Sequence, residues 1–226
     1  LEHFVSQNEL VDLLDFSRVE FDKIIKTVAT LSFPRIATKF ESVKLANIAP
    51  FVSTKVALSK IDVKTYVSTE NMLQNRAGVQ VFEGQPSIDK ITEYQKGDIL
   101  ISNIRPYLKK IWKAEYNGGC SNDVLVFRNV KTNEVLDEYL YSVLSSDIFF
   151  DYMMVGKKGV KMPRGDKKMI PQFEIPLPPM DVQKKIVEEC EKIDMQMQQN
   201  KRQIKKMKEQ AVLLFEQSLQ KETTEV

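Results

Sequence analysis

The segment that follows Asp181 constrains the fold most, because it contains neither glycine nor proline as far as Val226. Two series of mostly apolar residues repeat every seven positions in it, and the second is offset from the first by four. This spacing over four heptads is typical of a helix that pairs with another helix. The first series is Ile186, Ile193, Asn200, Met207 and Leu214, and the second is Cys190, Met197, Ile204, Ala211 and Ser218. We therefore predict a long coiled-coil dimerisation helix over 181–220 and a tail over 221–226.

The same stripe would also suit a single amphipathic helix that lies on the core of its own domain. At 1.5 Å per residue, however, the helix would be a rod of roughly 58 Å, which would overshoot a domain of this size. Asn200 lies near its middle, where an antiparallel helix paired with a second copy would meet its own Asn200. Asp181 is the predicted N-cap. The prolines within 176–179 fix φ and are expected to set the angle of the helix.

The body of the chain has strand-like runs first and a helix-like run later, which is the order of an α+β domain. Runs rich in β-branched residues between Gly, Pro and Asn turn signals predict strands, and an uninterrupted run before Gly156 predicts a helix. The strands are predicted at 64–69, 78–82, 98–103, 123–128 and 173–177, and the helix at 134–155. Apolar residues at helical spacing predict a helical segment over 1–34 that serves as a lead-in or linker to the domain. A globular domain with a mixed sheet then occupies 35–180.

Composition excludes several classes of protein. The chain has 226 residues, of which 42% are hydrophobic and 28% charged, and no run of about 18 apolar residues predicts a membrane span. Two distant cysteines and one histidine make a disulfide framework or a zinc site improbable, so we expect the reducing cytoplasm. The chain starts with Leu and has no signal-peptide pattern, which leads us to expect a fragment or a trimmed chain.

The most one-sided charge distribution lies at 156–168, although the net charge is only +2. This loop contains six basic side chains and one acidic side chain, Asp166. Its three glycines would let the backbone approach a phosphate. Such a loop can bind a polyanion by releasing counterions. The predicted DNA-binding residues are Lys157, Lys158, Lys161, Arg164, Lys167 and Lys168.

A second basic loop lies at 103–113 and mixes arginine and lysine with aromatic residues. Its Arg-Pro step can present a guanidinium stiffly, and arginine binds phosphate or a guanine edge as a fork. The candidate DNA contacts are Asn103, Arg105, Tyr107, Lys109 and Lys110. A place in the core is equally compatible with Tyr107, and it is the favoured position for Trp112.

Base-reading side chains are predicted in the polar stretch 70–95, because lysines mainly position a duplex whereas Asn and Gln can bind adenine in a bidentate way. The base-edge candidates are Gln74, Asn75, Arg76 and Gln85. A polar surface hairpin without a ligand is the alternative interpretation of this stretch.

Signals for catalysis are weak. An amino-methyltransferase needs a polar residue, two prolines and an aromatic residue in a row. Pro178 and Pro179 have neither the polar residue before them nor the aromatic residue after them. No Gly-x-Gly follows a predicted strand, and the acid pairs of the long helix are typical of solvated faces. We therefore predict no catalytic residue, cofactor or metal. A methyltransferase or nuclease fragment remains an alternative, as does an interaction module with a coiled-coil adaptor helix, which would not need the basic loops.

Four segments resemble the DNA specificity subunits of type I restriction–modification enzymes. "KGDILISNIRPYLKKIWKAEYNGGCSNDVLVFR" (96–128) resembles the body of a target recognition domain, and "YVSTENM" (66–72) its tyrosine-started strand. "EIPLPPMDVQKKIVEEC" (174–190) is similar to the proline strap and the following helix, and "FESVKLANIAP" (40–50) to the entry segment. The resemblance covers about 40–220.

This resemblance implies a protein without activity of its own that selects double-stranded DNA for a methyltransferase subunit and, in some systems, for a nuclease subunit. Members of full length carry two recognition domains held apart by paired helices, each domain reading half of a split site. With one domain and one helix, this chain is expected to be a half-subunit, a relative that dimerises, or the C-terminal part of a fused methylase–specificity protein.

Overall fold

The structure is a computed structural model that describes residues 34–86, 88–155 and 162–224. The predicted lead-in, apart from Pro34, and Lys157, Lys158 and Lys161 lie outside the described residues. The strands are β1 (Ser42–Lys44), β2 (Lys55–Ala57), β3 (Tyr66–Val67), β4 (Lys90–Tyr94), β5 (Ile99–Ser102), β6 (Ile111–Lys113), β7 (Gly118–Cys120), β8 (Val124–Phe127) and β9 (Glu174–Pro176). The α-helices are α1 (Leu45–Ile48), α2 (Asp137–Leu144), α3 (Asp147–Val155) and α4 (Met180–Thr224).

The strands form three small sheets with the orders β2-β4-β7-β3, β6-β5-β8 and β1-β9. The pair β3–β7 is parallel, and the other pairs of these sheets are antiparallel. The β1–β9 pair joins the beginning of the domain to the segment just before α4. The mixed sheets followed by one long helix confirm the predicted α+β class.

Two consecutive glycines in β7 allow the strands of the mixed sheet to approach closely. A Cβ on Gly118 would lie 2.4 Å from the carbonyl oxygen of Thr65, and one on Gly119 would lie 2.2 Å from Cδ1 of Ile91. A side chain at Gly118 would therefore push the backbone before β3 away from β7, whereas one at Gly119 would require the buried side chain of Ile91 to move. This matters for the site described below, because β3 leads directly into one of its walls.

Two hydrophobic clusters lie on the two faces of β5. Ile99 and Ile101 belong to a cluster with α2, α3 and the start of α4, whereas Leu100 belongs to a second cluster. This is the alternation expected of a strand whose successive side chains point to opposite faces. Trp112 lies in the second cluster and is 8% exposed, which confirms its predicted place in the core.

Two predicted elements differ from the structure. The strand predicted at 78–82 is wrong, because Gly78 has a φ of +88° and only an isolated bridge forms there, from Val79 to Met72. The helix predicted at 134–155 is divided into α2 and α3. Ser145 donates from its Oγ to the carbonyl of Tyr141, and the Ser146 Oγ accepts the N–H of Phe149, so two serines end one helix and begin the next.

Helix α4 begins one residue earlier than predicted and has 45 residues, a length of about 68 Å. The N–H of Gln183 donates to the carbonyl oxygen of Pro179 at 3.0 Å, so Asp181 lies in the first turn and is not the N-cap. No helix in the described part of the chain combines the length and the apolar composition that a membrane span requires.

The first turns of α4 belong to the core of the domain. Gln183 is fully buried, and its side chain donates to the carbonyls of Glu134 and Pro178 and accepts the N–H of Leu136. Val187 is also buried, and Ile186 packs against the same cluster. The helix therefore leaves the domain in a direction fixed by side-chain hydrogen bonds as well as by the prolines before it.

Candidate nucleic-acid interface

An open cleft of about 540 Å³ lies where the two predicted basic loops meet the turn that follows β3. Arg105 and Lys110 line it from the first loop, and Arg164 lines it from the second. We call these three residues the cleft cations. Glu70 contributes from the turn after β3, and Asp123 and Met162 complete the set of side chains considered below.

Backbone hydrogen bonds join the two basic loops edge to edge. The N–H of Arg105 donates to the carbonyl oxygen of Pro163 at 2.7 Å, and Ile104 forms an antiparallel bridge with Arg164. Arg105 has a φ of 50°, in the left-handed region, which turns the chain into a short 3-10 helix over Pro106–Leu108. The sequence suggested two separate cationic loops, and the structure joins the first loop to the described part of the second, 162–168, in one surface.

A turn built on Asn71 forms the facing wall. The buried Asn71 accepts the N–H of Ser68 at 2.7 Å through Oδ1, and its Nδ2 donates to the carbonyls of Tyr66 and Gln80. The N–H of Glu70 donates to the Ser68 Oγ at 3.1 Å. The backbone that carries Glu70 is therefore held by its own turn.

Lys110 links this turn to the first basic loop, since its Nζ donates to the carbonyl oxygen of Thr69 at 2.6 Å. Burial lowers the pKa of Lys110, and the neighbouring charge of Arg105 lowers it further. Arg164 lies 3.3 Å from the carboxylate of Asp123. The guanidinium of Arg105 makes no salt bridge with any described residue.

Two predicted DNA-contacting cations have partners inside the protein. Arg76 donates to the carbonyl of Ser145 and to the carboxylate of Asp147, and Lys109 donates to the same carboxylate at 2.7 Å. We call Arg76 and Lys109 the anchor cations. The hydrogen bond from Lys109, and then that from Arg76, lowers the pKa of Asp147. The Arg76 guanidinium also lies 5.9 Å from the centre of the Phe150 ring.

The remaining predicted residues differ in exposure. Asn103 is buried, with its N–H on the carbonyl of Asp123, so its side chain is not available to a duplex, contrary to our expectation. Tyr107 is 50% exposed, which excludes a core position for it. Lys167 donates to the carbonyl of Asn122. Side chains exposed on the surface are those of Gln74, Asn75, Gln85 and Lys168.

The backbone places some of these exposed residues near the first basic loop. The N–H of Asn75 donates to the carbonyl of Leu108, and that of Arg76 to the carbonyl of Lys109. The tip of the polar stretch therefore docks beside Tyr107, whereas Gln85 is not among the residues that line the cleft. Within the described ranges, no group of His, Cys, Asp or Glu side chains could hold a metal ion.

Sequence reasoning missed Glu70, Asp123 and Met162. For Glu70 a local signal was present, because Ser68-Thr-Glu-Asn71 contains the hydroxyl and amide that build a tight turn at the end of a predicted strand. Asp123 carried no such signal, since its place in the cleft depends on pairing with Arg164 across 41 residues.

Comparisons with known proteins agree with this architecture. The model of the "type I restriction modification DNA specificity domain" family matches residues 38–209. The specificity subunit of the Escherichia coli type I restriction enzyme EcoDI is 27% identical over 101 residues, which are 45% of this chain and 22% of that protein.

Two solved structures share the fold. The HsdS subunit from Thermoanaerobacter tengcongensis has a TM-score of 0.55 and 20% identity, over 74% of this chain and 45% of that one. A chain from a structure of the type I R-M system, which describes its complex assembly and conformational transition, has a TM-score of 0.57 and 21% identity. The match covers 75% of this chain and 46% of that one. This chain therefore spans less than half of each of these relatives.

Proposed function

This chain belongs to the type I restriction–modification DNA specificity family, and from that membership we propose that it reads one half of a split DNA target. The observation that carries the proposal is the cleft in which the two predicted basic loops meet. The cleft cations come from separate parts of the sequence and face one open space. Arginine can bind phosphate or guanine through a planar fork, and lysine adds a positive charge.

The surface around the cleft extends this proposed interface. Lys167 and Lys168 follow Arg164 in the same basic loop, and Lys157, Lys158 and Lys161 precede it in the sequence. Tyr107 is exposed beside Arg105, and Gln74 and Asn75 lie on the loop that docks there. We assign backbone contacts to the cations of the second basic loop. Base contacts are assigned to Gln74 and Asn75, with Gln85 as a more distant candidate.

Neutralising the cleft cations tests this function. The triple variant Arg105→Gln, Lys110→Gln and Arg164→Gln should bind duplex DNA more weakly. The slope of log affinity against log salt should flatten by up to about 2.7, because each lost phosphate contact removes about 0.9. Mobility-shift titrations of the full chain at several salt concentrations measure this slope.

The matched control removes three charges from exposed positions of α4, with Lys192→Gln, Lys201→Gln and Lys208→Gln. We expect the control to keep the salt slope of the unchanged chain. An unchanged slope in the cleft variant, with a normal melting temperature, would show that DNA binds elsewhere.

The chemistry of the system is assigned to partners. We propose that a methyltransferase subunit and, where the system restricts DNA, a nuclease subunit act at the site that this chain selects. The chain itself is proposed to be non-catalytic and to need no cofactor. Its place of action would be the cytoplasm, where such subunits and chromosomal DNA meet.

Helix α4 supports a proposal about assembly. From Glu191 to Gln217 every side chain is exposed, including Ile193 at 57%, Met207 at 66% and Leu214 at 62%. An apolar stripe of this length in water is typical of a surface that another helix covers. We propose that α4 pairs antiparallel with the α4 of a second copy, with Asn200 at the axis. The two recognition domains would then lie at opposite ends of a rod.

Sedimentation of two variants tests this pairing. A chain truncated after Glu191 keeps Gln183 and Val187 in the core, so it should be a folded monomer, whereas the full chain should be a dimer. Asn200→Leu should tighten association and broaden the range of oligomers, because the polar residue that fixes register is lost. A full chain that stays monomeric at high concentration would contradict the homodimer. The helix would then be assigned to pairing with a second specificity domain.

A further inference from the structure

Glu70 is the acidic residue of the cleft that forms no salt bridge with a described cation, although its charge partly offsets the lowering of the Lys110 pKa. Asp123 has Arg164 as its partner, but the Glu70 carboxylate makes no hydrogen bond and no salt bridge with the described residues. Its side chain is exposed and lines the same open space as the cleft cations. A free carboxylate at this position needs a physical reason if the cleft receives DNA.

A carboxylate in such a cleft cannot bind the phosphate backbone of DNA. It accepts hydrogen bonds and donates none when ionised, and its charge repels phosphate. Among the base edges of the major groove, an acceptor fits only the amino groups of cytosine and adenine. The corresponding edges of guanine and thymine present oxygen or nitrogen acceptors, which a carboxylate repels.

The backbone that carries Glu70 is already ordered without a ligand. This favours a role for Glu70 in base recognition over a place as a passive surface residue. Asn71 and Ser68 hold the turn through buried or partly buried hydrogen bonds, and Lys110 ties the turn to the opposite wall. Little conformational freedom of this backbone would be lost on binding. No described residue forms a hydrogen bond or a salt bridge with the side chain itself, so it is available to a ligand.

We propose that Glu70 is a specificity-determining residue that accepts a hydrogen bond from the exocyclic amino group of a cytosine or adenine in the major groove. It would reject guanine and thymine at the same position by repulsion, so discrimination has an attractive and a repulsive part. This inference rests on the proposed DNA-reading function of the cleft. It adds to that function a chemical class of base and the residue that selects it.

The experiment selects duplexes from a randomised library with the full chain and then measures affinity for all four bases at each preferred position. We expect one position at which cytosine or adenine is favoured over guanine and thymine by roughly tenfold. Glu70→Ala removes the acceptor without adding a donor, so this discrimination should fall to about twofold or less. Binding to mixed-sequence DNA should rise at the same time, because a negative charge has left the cleft.

Asp123→Asn is the matched control, since it removes the same charge from the same cleft. It should raise mixed-sequence binding in the same way and leave the preference for each base unchanged. The inference is overturned if Glu70→Ala keeps the full discrimination, or if Asp123→Asn relaxes the same position equally. Melting temperatures of both variants should stay near that of the unchanged chain, because the Glu70 carboxylate makes no hydrogen bond with the described residues and the Asp123–Arg164 pair is exposed and therefore weak.

The failure of the proposed function would look different. In that case the unchanged chain would enrich no sequence, and the triple variant of the cleft cations would bind DNA as well as the unchanged chain. If the chain enriches a sequence and the triple variant loses binding, but Glu70→Ala shows no change, the function is retained and the role of Glu70 is refuted.

Discussion

The anchor cations and the cleft cations meet in one loop of the sequence, where Lys109 lies between Arg105 and Lys110, but the two groups have different partners. The anchor cations, Arg76 and Lys109, both bind Asp147 at the first turn of α3. Among the described residues, Arg105 of the cleft cations has no acidic partner. Lys110 forms no salt bridge there and donates to a backbone carbonyl, although the charge of Glu70 acts on it. Only Arg164 pairs with an acid, at 3.3 Å, with both side chains well exposed. One group stabilises the fold, and the other is available to a polyanion.

The neighbouring residues Lys109 and Lys110 show how this division arises. Lys109 has a φ of 51°, so the chain reverses there, and the two side chains reach different walls of the loop. One contacts Asp147, and the other contacts the carbonyl of Thr69. A run of cations in a sequence therefore does not form a uniform binding surface, because the backbone conformation decides which of them is used internally.

The largest effect expected from this comparison is that of Arg76→Ala on stability. The variant would leave the carbonyl of Ser145 and the carboxylate of Asp147 without their guanidinium partner and expose part of Phe150. We expect the free energy of unfolding to fall by about 2 kcal/mol, since hydrogen bonds to charged groups contribute about 1.5–3 kcal/mol. Urea unfolding at a fixed protein concentration measures it.

Lys109→Ala is the control for that prediction. It should cost less than 1 kcal/mol, because its partner Asp147 is 63% exposed and such pairs are weak. DNA binding by the folded fraction should be retained in both variants. A loss of base preference in Arg76→Ala without a loss of stability would return Arg76 to the base-reading residues.

Part of the fold was predictable because its signals are local, although β1, β2, β4, β6 and β7 were not predicted. The strands β5 and β8 are continuous runs of buried β-branched and aliphatic residues, and α4 has an unbroken heptad pattern. The loop at 78–82 has the same composition as a strand. Its place depends on Asn71, whose side chain binds the carbonyl of Gln80. Hydrogen bonds from a side chain to the backbone leave no periodic trace in the sequence.

The candidate site was predictable in part for the same reason. Charge and glycine content identify the two basic loops, including Arg105, Lys110 and Arg164. Their meeting in one cleft depends on backbone pairing across about sixty residues, and composition does not encode that pairing. Arg76 resembled a base reader because Asp147 is remote in sequence. Asn103 resembled an exposed loop residue although its backbone continues the sheet beside β8.

A smaller change in stability, which separates stability from DNA binding, is expected for Arg105→Gly. The φ of 50° at Arg105 costs a residue with a Cβ about 1 kcal/mol, and glycine removes that cost, although it also gives the unfolded chain more freedom. The net change should be a gain in unfolding free energy of up to about 1 kcal/mol. The guanidinium is lost at the same time, so DNA affinity should fall and the salt slope should flatten by about 0.9. Stability and binding would then change in opposite directions.

Lys109→Gly separates the backbone effect from the side-chain effect. Lys109 has almost the same φ, 51°, but its ammonium is bound to Asp147 and not to the cleft. We expect glycine there to give a smaller gain in stability, because the ion pair is lost, and to leave the salt slope unchanged. Urea unfolding and salt titrations of DNA binding on the same two preparations measure both quantities. If Arg105→Gly lowered stability as Arg76→Ala does, Arg105 would be an anchor cation. It could then no longer be assigned to DNA binding in the cleft.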